Sequence, residues 1–290
     1  MRSFSFVTVD VFTDRRFGGN PLAVFPDARG LADGEMQSLA AEFNLSETTF
    51  VLPPADPANT ARVRIFNRRQ EMPFAGHPNV GTGWVLAGMG RARDGVLRFE
   101  EIAGLVVVEV EGDSVNIAAP QPLTLGPEMP VDLLAGCVGL DARDVIASNH
   151  RPVSASVGNS FVIAEVTGPA LSRAAPDTGR FRDAATAYAT MGPNRLPLYL
   201  YAHDDSHIRA RMFSPLSGTV EDAATGSAAT PLAALLLSLT SERERRYDIV
   251  QGVEMGRPSL LRASAHRAAD GIRASVGGGC VPVLKGEVSL

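Results

Sequence analysis

Between residues 4 and 12, apolar Val7, Val9 and Val11 alternate with Thr8 and Asp10, so the chain opens on a strand with one apolar side. Gly18-Gly19-Asn20-Pro21 forces a turn, which serves a plain strand connection or a ligand contact equally well, before a second short strand over 22–25. From Asp33 onward Met36, Leu39, Ala40 and Phe43 recur at helical spacing, which predicts a helix capped by Asp33 and ending near Asn44. Residues 46–51 are extended again. Glu47 then falls at a helix-to-strand junction, where a carboxylate can project into a cleft. Further strands are predicted at 62–66, 97–101, 105–111 and 115–118. Pro120, Pro122, Pro127 and Pro130 break regular structure and make 119–130 a linker.

The second half repeats the mixture. Extended patterns occupy 161–166, 198–202 and 208–213, a helical pattern lies near 181–191, and 228–239 forms the most apolar helix. Strands at 247–251, 260–265, 272–276 and 281–284 complete the tail. Many short strands around one strongly apolar helix per half predict an α+β fold rather than a doubly wound sheet, and no Gly-x-Gly-x-x-Gly or Walker loop is present.

Two small-residue turns organise this pattern. Ala75-Gly76-His77-Pro78-Asn79-Val80-Gly81-Thr82-Gly83 delivers a histidine to an apolar helix starting at Pro78, and Glu221-Asp222-Ala223-Ala224-Thr225-Gly226-Ser227-Ala228 delivers an aspartate to another. Subtracting 77 from 222, 81 from 226 and 82 from 227 gives 145 each time, half the chain. Arg64-Ile65-Phe66 is similarly matched by Arg211-Met212-Phe213 at an offset of 147, and Gly104 by Gly252. A repeat this long implies two similar domains, residues 1–119 and 120–279, the first completed by a C-terminal strand near 280–290.

Composition narrows the function classes. A chain of 290 residues with 45% hydrophobic and 20% charged residues supports substantial cores. A net charge of −5, with only the short basic clusters Arg68-Arg69 and Arg243 to Arg246, argues against a nucleic-acid partner. The apolar stretch 228–239 reaches only about 18 Å as a helix, too short for a membrane span. Residues 1–10 lack the apolar core of a signal peptide, and the two cysteines, Cys137 and Cys280, suit a reducing compartment, so a cytoplasmic protein is expected. Asn44-Leu45-Ser46 is a formal glycosylation match that this expectation sets aside.

Glu47, His77 and Asp222 supply three proton-handling groups, and small residues beside the latter two let a ligand approach the backbone. Singly, each has a plainer use: a solvated or cap-bonded carboxylate, a helix-start residue and a helix cap. Together they permit proton abstraction beside an activated carbon and its return elsewhere. His150, His203, His207 and His266 show no metal-ligand spacing with His77, and no Gly-x-Ser-x-Gly elbow supports acyl chemistry.

Five stretches closely resemble the phenazine-biosynthesis PhzF-like family, a branch of the diaminopimelate epimerase-like fold. They are Gly19-Asn20-Pro21-Leu22-Ala23-Val24, Asn44-Leu45-Ser46-Glu47-Thr48-Thr49-Phe50-Val51, Pro73-Phe74-Ala75-Gly76-His77-Pro78, the 221–228 turn, and Gln251-Gly252 with Met255-Gly256-Arg257-Pro258-Ser259. The resemblance implies two pseudo-symmetric strand-rich barrels, each around a central helix, with the site in the cleft between them. It also implies cofactor-free isomerisation and a homodimer. The phenazine-pathway member shifts a proton from C3 to C1 of 2,3-dihydro-3-hydroxyanthranilate. On matching positions Glu47 would be the proton shuttle, assisted by His77 and Asp222, with Ser46, Gly76, Gly226 and Ser227 contacting a carboxylate-bearing small molecule.

Two positions depart from related patterns. Racemases of this fold place two cysteines where this chain has Ala75 and Thr225, which disfavours a two-thiol reaction. Ala223 replaces a proline common in the family, which would loosen the turn presenting Asp222. The expected activity is thus an acid–base isomerase acting on a small carboxylate-bearing substrate. The alternatives are an epimerase or dehydratase acting next to a carboxylate, or a non-catalytic binding or scaffold member of the family.

Overall fold

The alternation that opens the chain becomes strand β1 (Ser3–Val11), paired antiparallel with β2 (Asn20–Phe25). The computed structural model describes residues 1–192, 194–204 and 207–290 and divides into two units, Met1–Ala118 with Val276–Leu290, and Ala119–Ser275. In the first, helix α1 (Asp33–Phe43) connects β2 to the parallel strand β3 (Glu47–Leu52) and buries Met36, Leu39 and Ala40 against Phe25, Phe50 and Phe66. Asp33 is not its cap. Ala32 occupies that place, its amide donating to Glu35 Oε2 at 2.8 Å, while Arg64 draws the Asp33 carboxylate away at 2.5 Å. Asn44, at φ 52°, ends the helix in the left-handed region and turns the chain into β3.

Strands β4 (Ala61–Asn67) and β5 (Glu71–Met72) lead into α2 (Gly76–Gly88), followed by β6 (Val96–Glu101), β7 (Gly104–Glu111) and β8 (Ser114–Ala118). Pairing runs β1–β2–β3–β4–β6–β7–β8, and the last strand of the chain, Gly271–Ser289, pairs with both β8 and β1, closing the ring. Helix α2 lies inside it. A side chain at Gly81 would meet Leu22, Val11 and Val9, and one at Gly83 would meet Val108 and Val115, so strands on opposite sides press on this helix. It starts two residues before the expected Pro78, which is its third residue and loses nothing there because first-turn amides lack helical acceptors.

The second unit contains β9 (Thr124–Glu128), α3 (Val131–Cys137), β10 (Val145–Ile146), β11 (Val153–Ser156), β12 (Ser160–Val166), α4 (Gly168–Arg173), α5 (Thr178–Ala187), β13 (Leu198–Asp204), β14 (His207–Ser214), β15 (Thr219–Asp222), α6 (Gly226–Ser238), β16 (Glu244–Gln251), β17 (Ser259–Ala268) and β18 (Gly271–Ser289), whose first residues belong here. Its pairing runs β9–β11–β12–β13–β14–β16–β17, with α6 packed on β11, β12, β16 and β17. Three expectations change. The proline-rich stretch holds an exposed strand, β9, whose register against β11 shifts near the proline that cannot donate to it. Helix α5 starts earlier than expected because Asp177 caps it at 3.0 Å, and the two strands expected at the C-terminus are one, β18.

The units share one topology, and it resets the register of the repeat. In each, a parallel pair joined through helix precedes an antiparallel strand, a short strand, an apolar helix and a parallel return: β2, β3, β4, β5, α2, β6 against β12, β13, β14, β15, α6, β16. Arg64 grips Glu71 at 2.7 and 2.6 Å with its guanidinium 5.0 Å from the Phe66 ring; Arg211 grips Glu221 at 2.8 and 2.9 Å, 4.8 Å from Phe213. The offset is 147 at these arginines but 150 from Glu71 and Glu221 onward, because the Pro215–Ser217 turn adds three residues. Helix starts Gly76 and Gly226 therefore correspond, and His77 is matched by Ser227, not by Asp222. The gapless 145-residue match is out of register.

Among the described residues, no helix is long and apolar enough to cross a membrane. Gly81→Ala tests the enclosure of α2. Helix propensity alone favours alanine by about 1 kcal/mol. The new Cβ would, however, lie 2.6 Å from Leu22 Cδ2 and 2.8 Å from Val11 Cγ2. Overpacking costs about 1–3 kcal/mol, so a net loss is expected in urea unfolding, and a stabilised variant would show that strands do not enclose this helix.

Candidate active site

In the first unit α2 has no side-chain cap: Ala75 precedes it with extended backbone, and the amides of Gly76 and His77 have no helical acceptor. His77 is buried, 5% exposed, in this first turn. Ser46 Oγ donates to Asn20 Oδ1 at 3.2 Å, which directs the Asn20 amide nitrogen at His77 Nδ1, 3.4 Å away. The network thereby assigns Nδ1 as acceptor and places the ring proton on Nε2. Nε2 faces Glu47 Oε2 at 3.5 Å, within ion-pair range and too long for a strong hydrogen bond. Burial draws the imidazole pKa down to about 3, so the ring is neutral beside the carboxylate. Behind it, Thr49 of β3 and Thr82 of α2 share a buried hydroxyl contact at 2.8 Å.

The second unit builds a different turn at the corresponding place. Asp222 ends β15, and Thr225 Oγ1 donates to its Oδ2 at 2.7 Å. Gln251, fully buried at the end of β16, holds this turn from beneath: Nε2 donates to Asp222 O at 2.8 Å and to Thr225 Oγ1 at 3.0 Å, and Oε1 accepts from Thr225 N at 3.2 Å and Tyr199 Oη at 3.1 Å. Burial, and then the Asp222 charge, push the Tyr199 phenol above its usual range, keeping it a donor. Ser259 Oγ donates to Ala223 O at 2.9 Å. The turn that lacks the family proline is thus pinned at the Asp222 and Ala223 carbonyls. Gly226 and Ser227 open α6 with no side-chain cap, because the Thr225 hydroxyl is turned to Asp222.

Glu47, His77, Ser46 and Gly76 gather at one end of the first ring, and Asp222, Gly226 and Ser227 share one turn of the second unit. Asn20 and Gln251 were legible only as members of motifs; their roles as imidazole holder and turn clamp emerge from the hydrogen bonds. Ala75 and Thr225 are the residues just before the two helices, so neither place carries a thiol. Burial pushes the free thiols of Cys137 and Cys280 to about 12, and neither is a thiolate. Among the described residues no cluster of three His, Cys, Asp or Glu side chains is arranged to hold a metal ion.

Comparison with known proteins agrees with this architecture. The family described as phenazine biosynthesis-like protein, PhzC-PhzF, matches residues 9–286. Two relatives are trans-2,3-dihydro-3-hydroxyanthranilate isomerases: that of Pseudomonas chlororaphis is 36% identical over 98% of this chain and 99% of its own, and that of Pseudomonas aeruginosa 38% identical over 93% of each. The crystal structure of the Bacillus anthracis phenazine biosynthesis protein, PhzF family, superposes with a TM-score of 0.89 at 25% identity over the whole of both chains. The barrel-and-helix units, the motif-bearing turns and this family match along the chain lead to one assignment: the chain belongs to the phenazine biosynthesis-like PhzC-PhzF family and is an isomerase.

Proposed function

We propose that this isomerase relocates a proton within a small carboxylate-bearing substrate, with Glu47 as the shuttle and no cofactor in the step. The observation that carries the reading is the Glu47 carboxylate held 3.5 Å from a buried, neutral imidazole whose far nitrogen is fixed by Asn20 and Ser46. A carboxylate beside a neutral ring is a base that can take a proton, whereas one beside an imidazolium would be a weaker base. In the step, Glu47 removes a proton from a carbon next to a π-system. The electron pair delocalises, and the double bonds shift. The same carboxyl group returns its proton to another carbon, so one C–H bond breaks, one forms, and Glu47 ends ionised as it began. His77 Nε2–H faces the Glu47 carboxylate before the proton is taken and again once it has been returned.

Asp222 is the second acid–base group in this reading. Its carboxylate is oriented by the Thr225 hydroxyl and its backbone by Gln251. Ser46, Gly76, Gly226 and Ser227 are proposed to contact substrate, the uncapped helix starts suiting a carboxylate through their amides. The names of the two Pseudomonas relatives support a cyclic, carboxylate-bearing diene as the substrate class. Epimerisation or dehydration next to a carboxylate would draw on the same residues and is separated by where solvent deuterium enters the product.

Two expectations follow from this geometry. Glu47→Gln keeps the fold and ligand binding while lowering kcat by about 10²- to 10⁴-fold, the usual contribution of a positioned general base; turnover within a few-fold of the parent, with label still entering the product, would reject Glu47 as the shuttle. His77 titrates at about 3 when folded and about 6.5 when unfolded. The unfolded chain therefore binds more protons in that window, and stability falls as pH drops below about 6.5. Relative to His77→Asn, the parent should lose up to about 2 kcal/mol between pH 7.5 and pH 5 in chemical denaturation. Parallel pH profiles for the two proteins would show that the ring is protonated in the fold.

A further inference from the structure

Glu101 is a buried carboxylate at the end of β6, and the mechanism above does not use it. Both of its oxygens are shielded from solvent without a hydrogen-bond partner among the described residues, and so is Asn79 Oδ1 on the first turns of α2. The two groups are neighbours: burial pushes the Glu101 pKa up to about 8, and the Asn79 side chain, within hydrogen-bond reach, offsets part of that rise. Asn79 is two residues from His77, and its Nδ2 donates to Ala75 O at 3.1 Å. The β6–β7 turn is tied to the same segment, Ala103 N donating to Pro73 O at 3.1 Å.

The repeat says what this position is for. Ala61 pairs with Phe99 across β4 and β6, and Ile208 with Ile249 across β14 and β16. Glu101 is thereby the counterpart of Gln251 at the same 150-residue offset that relates Gly76 to Gly226. Gln251 clamps the Asp222 turn by donating and accepting at once. A carboxylate can only accept, but a neutral carboxylic acid does both.

We propose that Glu101 works as the neutral acid, a positioning residue that donates its proton to Asn79 Oδ1 and holds the His77 turn as Gln251 holds the Asp222 turn. One proton satisfies two otherwise orphaned groups. Of the other charged groups around it, Arg64, Glu71 and Glu100 are committed elsewhere. Arg62, Arg64, Glu71 and Glu100 line the same cavity of about 230 Å³. Arg64 is taken by Glu71 and Asp33, and Glu100 accepts from the amides of Ala55 and Asp56. On α2 the facing titratable group is His77, neutral by burial.

The test is titration of the whole protein carrying ¹³C-labelled glutamate carboxyls and ¹⁵N-labelled histidine rings, followed by NMR beside Glu101→Gln. In the parent, one carboxyl titrates near 8, and the His77 ring resonances move with the same midpoint. In Glu101→Gln, whose amide supplies the donor at every pH, that carboxyl is missing and the His77 movement near 8 disappears. Linkage gives a second reading: the folded pKa lies above the unfolded one, so the parent's stability relative to Glu101→Gln is greatest below about pH 4.5 and declines until about 8. A Glu101 carboxyl that titrates below 6, or His77 resonances indifferent to it, overturns the proposal.

A third arm rests on the proton-relocation reading. Parent turnover of a cyclic carboxylate diene falls about tenfold between its neutral plateau and pH 9, and Glu101→Gln removes that alkaline limb while keeping the neutral rate. An alkaline limb unchanged in Glu101→Gln overturns the positioning role. Absence of turnover by both proteins, with the NMR titration as described, rejects the substrate reading and supports the clamp.

Discussion

A helix enclosed by strands presents few backbone groups to a ligand, and those lie in its first turn. Ring closure by β18 fixes α2 so tightly that glycines must face Val9, Val11, Val108 and Val115. This leaves the turn before the helix as the adjustable part. Residues 73–75 enter the helix that carries His77 on a segment that is neither strand nor helix, so its geometry depends on side-chain bonds from beneath. The same necessity recurs at residues 223–225. Burial keeps water from satisfying these turns, and each unit must supply its own clamp.

Burial of the imidazole follows from that enclosure and sets its charge. A ring exposed to solvent beside a carboxylate would gain a proton near neutrality; a desolvated ring stays neutral, and the carboxylate keeps its appetite for a proton. Asn20 and Ser46 matter because they spend the Nδ1 lone pair, which leaves Nε2–H as the ring's contribution toward Glu47. The two buried cysteines show the same desolvation with the opposite consequence. Their thiols are held protonated.

Much of this was legible in the sequence because strands and helices with one apolar side declare themselves by period. The opening strand, α1, the three strands over 96–118 and the apolar helix of each half sit where alternation and helical spacing put them. What failed was local. Asp33 looked like a cap until Arg64, distant in sequence, claimed its carboxylate. The 119–130 stretch looked like a linker because prolines veto helices, yet an edge strand tolerates one. The repeat was detected at the wrong register because Gly-Thr and Gly-Ser are cheap matches, whereas the true equivalence hangs on backbone pairing and a three-residue turn. The candidate residues gathered as two turns, but Gln251 and Glu101 were invisible as functional groups: only strand pairing reveals that they occupy one position in two copies.

That shared position explains how a duplicated fold acquires asymmetric chemistry. Once the first copy carries His77 where the second carries Ser227, and Asn79 where the second carries Ala229, the space above the β6 end changes from backbone and hydroxyl partners to an amide. Glutamine satisfies the second turn at every pH, since its donor and acceptor are fixed. Glutamate satisfies the first only while protonated, and the apolar surroundings that make its ionisation costly also keep the proton in place. A stable clamp and a titratable one therefore differ by a single side-chain atom, NH₂ against OH, and desolvation brings the second close to the behaviour of the first.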